Sequence, residues 1–217
     1  MRFILASGLL VIILSGCATA PPPAPPPCSA PAVPAAAADP VHTVFDIALG
    51  QALNLPECPK YRSGSLIRYS YSKEACWQRT VNPAECSPIA DGYVDVEFPV
   101  LTLPYWTGTS RITVRVVGGR VEGARIDTIG IKGQEFALKA LIEKYGEPSE
   151  SFNTLVQNRM GAQYTSLNSK WKVSDVTILL FGTTGHLDEG QVEIATEIGA
   201  AAFKSDAVKL TEGVRPL

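Results

Sequence analysis

The stretch ITVRVVGGRVEGARIDTI, residues 112–129, decides the fold class. Ile112, Val114 and Val116 fall on one face of an extended chain and Thr113 and Arg115 on the other, because strand side chains alternate with period two. Gly118-Gly119 then separates this run from residues 121–129. Paired glycines suit a two-residue hairpin turn whose central residues need positive φ. The expectation is an antiparallel hairpin.

Upstream, Val94, Val96 and Phe98 alternate with Asp95 and Glu97, which adds a strand. Downstream, Gln134–Tyr145 carries Leu138, Leu141, Ile142 and Tyr145 at i, i+3, i+4 and i+7, the spacing of one helix face. Gly146 offers a positive-φ cap and Pro148 prevents resumption, so the helix is expected to stop there. Residues 149–164 read as polar and irregular. Val176–Phe181 is apolar on both faces and reads as a central strand. Residues 182–190 form a glycine-rich loop too long for a tight turn, and Val192 and Ile194 then alternate with Gln191, Glu193 and Glu197. The sum is an α+β chain with an antiparallel sheet and one clear amphipathic helix.

A faint internal echo refines this expectation. Leu49-Gly50-Gln51-Ala52-Leu53, followed by Leu55-Pro56-Glu57-Cys58-Pro59, is loosely matched by Lys132-Gly133-Gln134-Glu135-Phe136-Ala137-Leu138 and then Tyr145-Gly146-Glu147-Pro148. In outline this resembles two tandem helix-plus-hairpin units, as in the BamE/SmpA-like small lipoproteins of outer-membrane protein assembly and in the β-lactamase inhibitor protein fold. The family unit usually opens with two helices, and no second helix is evident beside Gln134–Tyr145. No binding residue transfers from either family.

The N-terminus carries a different signal. Met1-Arg2 is positively charged, and the apolar run that follows is about twelve residues long, short of the roughly 18 to 20 that span a bilayer. Leu14-Ser15-Gly16-Cys17 closes that run and resembles the lipobox of bacterial lipoproteins. The resemblance implies a cleaved signal over residues 1–16, acylation of Cys17 and attachment to a lipid bilayer. Ala18 stands where an aspartate would imply inner-membrane retention, so the outer membrane, facing the periplasm, is the implied location. Residues 17–40 are nearly all Pro and Ala, a composition that favours extended polyproline II with a reach on the order of 70 Å. Residues 41–204 suffice for one domain with a real core, leaving 205–217 as a C-terminal tail.

Composition restricts function. The chain has 217 residues, 46% hydrophobic and 18% charged, with formal net charge −2. Such a balance offers no basic stripe for nucleic acid. The two histidines, His42 and His186, stand at no metal-ligand spacing, and no phosphate loop, dinucleotide fingerprint or serine elbow occurs. Asp127, Glu143 and Glu147 could pair for acid/base work only if the fold brought two of them across a cleft. Trp77, Trp106 and Trp171 suit core or sheet-face packing better than a recognition surface. No cofactor, metal or catalytic residue is assigned.

Export makes disulfides expected. Of the five cysteines, Cys58 lies at a turn before Pro59 and Cys76 follows a stretch able to return antiparallel; their bond would close a loop of about 18 residues, worth roughly 3 kcal/mol. Cys86 is the alternative partner for either, and Cys28 lies in the spacer. Two function classes follow: a non-catalytic envelope module that binds another protein, or a periplasmic enzyme or small-ligand carrier. A sheet face with exposed aromatics favours the first, a deep pocket with converging carboxylates or a buried histidine the second.

Overall fold

A computed structural model describes residues 42–70, 72–80, 89, 91–99 and 102–212, the last five as backbone alone. Two short hairpins come first, β1 (Thr43–Val44) with β2 (Ile47–Ala48) and β3 (Lys60–Ser63) with β4 (Leu66–Tyr69). An up-and-down run follows: β5 (Cys76–Arg79), β6 (Gly92–Glu97), β7 (Arg111–Val117) and β8 (Arg120–Thr128). After α1 (Gln134–Tyr145) a second run repeats the pattern with β9 (Glu150–Gln157), β10 (Gln163–Val173), β11 (Val176–Phe181) and β12 (Gly190–Thr196), closed by α2 (Glu197–Glu212). The two runs join through β8 against β12 into one eight-stranded antiparallel sheet of order β5-β6-β7-β8-β12-β11-β10-β9. The architecture is α+β, dominated by its sheet.

The hairpin of residues 111–128 forms as its sequence requires, with Gly118 at φ 56° and Gly119 at φ 77°. Cross-strand register then builds the core: Val94, Val114, Ala124, Ile194, Ile178 and Trp171 are successive partners across six strands, and all are buried. Helix α1, β1–β2 and Trp106 pack against this face. Helix α2 lies on the opposite face, where Phe203 stacks with Tyr93 at 6.2 Å and under the Arg125 guanidinium at 4.3 Å. Asp206 fixes the helix further, accepting from Tyr93 Oη at 2.8 Å and Arg115 Nε at 3.1 Å.

The sequence reading needs three corrections. Residues 149–164 are not irregular: they hold β9 and the start of β10, polar because nearly all of that stretch is exposed and no burial imposes alternation. Glu197 opens α2 rather than extending a strand, and the helix continues past residue 204 to Glu212, across the expected start of a tail at residue 205. The tandem helix-plus-hairpin arrangement also fails, since the described residues 42–79 contain no α-helix and Gly50, Pro56 and Pro59 interrupt any helical run there. The repeat that does exist is four strands followed by a helix, twice.

Candidate docking edge

A sheet has two edges, and this molecule treats them differently. Strand β5 is only 4 residues long, and residues 56–58 cover its outer side. Cys58 N donates to Trp77 O at 2.8 Å and Trp77 N donates to Pro56 O at 2.9 Å, a short parallel bridge. The Cys58–Cys76 disulfide, with Cα atoms 4.9 Å apart, pins that bridge in place. Tyr69 clamps it again, donating to Glu57 Oε1 at 2.9 Å and accepting from Arg79 N at 3.2 Å; burial pushes its hydroxyl up to about 12, so it stays a neutral donor.

The opposite edge, β9, has 8 residues and no strand on its outer side among the described residues. Natural edges are usually blunted by shortness, proline, bulges or lysine. The β9 sequence ESFNTLVQ uses none of these; its one charge, Glu150, is paired with Lys170 at 2.7 Å. Phe152 is 63% exposed and Leu155 71%, on opposite faces, so an apolar side chain flanks the open backbone on each side.

The β9–β10 hairpin is held by side-chain hydrogen bonds at its base and its tip. Strand β10 is in register with β11 only from Asn168 onward, with Gly182 N adding a bond to Leu167 O at 2.7 Å, so residues 163–166 have β9 as their only strand neighbour among the described residues. There Gln134, the first residue of α1, substitutes for a strand: its Nε2 donates to Thr165 O at 2.8 Å and its Oε1 accepts from Leu167 N at 2.8 Å. At the tip, Asn158 Oδ1 accepts from Met160 N at 3.0 Å and Ala162 N at 2.9 Å, while Gly161 supplies φ 85°. This turn holds Met160 out at 90% exposure, and Tyr164 lies nearby on the hairpin. Sequence reading missed these residues. The faint signal was the alternation of Phe152, Thr154 and Val156, diluted by Leu155 on the other face.

The cysteine expectation is met for Cys58 with Cys76; Cys17, Cys28 and Cys86 lie outside the described residues. Trp106 and Trp171 are buried, Trp171 Nε1 donating to Gly146 O at 2.8 Å, and Trp77 is half-buried against the core. His42 is tied to Asp175 at 2.6 Å, which holds that carboxyl below its usual range, and His186 lies in the loop before β12. Glu143 pairs with Lys139 at 4.0 Å on the outside of α1, and Asp127 and Glu147 are exposed. Among the described residues no helix is long and apolar enough to cross a membrane. The chain matches no protein-family model, no curated protein and no solved structure.

Proposed function

We propose that this chain is an exported lipoprotein, anchored through acylated Cys17 to the outer membrane and facing the periplasm, whose domain is a non-catalytic module that binds an envelope protein. The carrying observation is the unblunted β9 edge beside a β5 edge that is bridged, clamped and disulfide-pinned. An open edge presents a row of backbone donors and acceptors, and the occupant that satisfies such a row is an extended segment adding as a further strand. Phe152 on one face and Leu155 on the other favour a segment with apolar side chains on both of its faces. The Pro/Ala spacer gives the domain reach to meet such a partner.

The test places a photo-crosslinking residue at Asn153 in intact cells, with and without the double substitution Phe152→Lys/Leu155→Lys. Both positions are exposed, so folding and melting temperature should be unchanged while lysines oppose strand addition. A defined protein adduct that disappears in the double variant is the expected result. An adduct that persists at full yield would sink the reading.

A further inference from the structure

Backbone parity fixes which residues of β9 a partner strand would meet. In an antiparallel ladder, alternate residues turn their N–H and C=O groups to one neighbour and the residues between turn theirs to the other. Gly182 N donates to Leu167 O at 2.7 Å, and Gln134 takes Thr165 O and Leu167 N from the same side, so the odd-numbered residues of β10 face away from β9. Its even-numbered residues face β9, where Ser166 lies opposite Thr154 and Asn168 opposite Phe152. Phe152, Thr154 and Val156 therefore use their backbone groups inward. Ser151, Asn153, Leu155 and Gln157 turn theirs to the open side.

The side chains then match the strand to itself. A second copy that adds antiparallel about a two-fold axis perpendicular to the sheet keeps like faces together, so opposed residues share a parity. The register that sets Thr154 against its own counterpart opposes Phe152 with Val156 of the second copy, twice by symmetry, and joins the backbones of Asn153 and Leu155. Aromatic–β-branched and Thr–Thr pairs are among those that stabilise neighbouring strands. Tyr164, opposite Val156 on β10, prolongs the apolar row. A shift by two residues one way sets Glu150 against Val156, and the other way sets Phe152 against Asn158, whose side chain is held in the turn. Glu150, the one charge of β9, meets no like charge and keeps Lys170. The same axis leaves the α1 faces of both copies on one side. The β1–β2 hairpin packs on that face and Thr43 O accepts from Lys144 of α1, so both domains begin, at His42, on the side where two copies tethered to one bilayer need them.

We propose that the β9 edge takes a second copy of this chain, the two β9 strands pairing antiparallel about Thr154 into one continuous sheet. The inference rests on the strand-docking reading and names its partner.

The test uses the full chain in phosphatidylcholine vesicles, with one cysteine added at a time. Thr154→Cys sets two thiols across the axis at a non-hydrogen-bonded pair, a spacing of about 4.5 Å between Cα atoms that a disulfide spans. Mild oxidation should convert most of this variant to a covalent dimer. Ser151→Cys sets its two thiols on the order of 20 Å apart along the strands, and should give no more dimer than the unsubstituted chain. Adding Phe152→Lys/Leu155→Lys to Thr154→Cys should remove the dimer at unchanged circular dichroism, since both positions are exposed. The proposal is overturned if Thr154→Cys gives no dimer, if Ser151→Cys gives as much, or if the lysine variant keeps it. In cells the Asn153 photo-adduct should have twice the mass of the chain. An adduct to a different protein overturns the second copy and leaves the docking reading standing, whereas no adduct at Asn153 removes both.

Discussion

Tyr145 makes a stability statement at the scale of one residue, its hydroxyl being buried with no hydrogen-bond partner. Its neutral form is favoured in the folded chain, which holds it up to about 12 from an ordinary 10.0. Below pH 10 both states keep the proton and nothing changes. Between 10 and 12 the unfolded chain releases it while the folded chain retains it, so stability falls as pH rises through that window. Tyr145→Phe should therefore be more stable at pH 7 by about 1 kcal/mol, the cost of a buried unmet donor, and should lose less stability up to pH 12. Urea titrations at pH 7, 10 and 11.5 check both parts. The disulfide acts differently: Cys58→Ala/Cys76→Ala leaves small buried voids, and the freed 18-residue separation should cost roughly 3 kcal/mol by denaturant unfolding.

At the scale of elements, close approach overrides helix propensity. Gly199 sits in α2, where alanine would intrinsically be better by about 1 kcal/mol. A Cβ there would stand 1.8 Å from Glu122 O, a backbone atom of β8 that cannot swing aside. Gly199→Ala should therefore destabilise the chain, by about 1–3 kcal/mol as for overpacking, and a rise in melting temperature would show that α2 is loosely docked. Gln134 links two elements through one side chain. Gln134→Ala leaves Thr165 O and Leu167 N without their partner. Amide exchange of residues 163–167 is expected to accelerate first, with a global loss of about 1–3 kcal/mol.

For the whole molecule, the proposed anchor and the sheet edge together would set the geometry of an encounter. If the chain is held to a bilayer through the proposed lipid on Cys17, its domain would stay near the membrane, which would raise its effective concentration toward envelope partners. If Cys17 carries the lipid, Cys17→Ala should abolish incorporation of a fatty-acid analogue in growing cells while leaving the melting temperature of the domain unaltered. Label retained by the variant would refute the anchor. The asymmetry of the edges belongs to this scale as well, since β5 and β9 stand at opposite ends of an eight-stranded sheet and only the complete strand order reveals which is open.

The sequence alone determined what local physics can determine. Alternation and Gly118-Gly119 specified the β7–β8 hairpin, and apolar spacing with Gly146 specified the bounds of α1, because backbone conformation there depends on neighbouring residues. The Cys58–Cys76 pairing was legible from turn chemistry and the expectation of export, with Cys86 left as an alternative that local reasoning could not remove. Strands β9 and β10 were obscured because an exposed edge buries too little to leave a pattern. Helix α2 was obscured because small residues such as Gly199 and Ala200 serve close packing on the sheet rather than an apolar stripe. Only tertiary structure decided that Gln134 would complete a strand edge and that the Tyr145 hydroxyl would be buried without a partner. Among the described residues, it also left β9 without an outer strand while bridging β5. Each depends on groups distant in sequence, whose burial and pairing exist only once the two four-stranded runs have joined through β8 and β12.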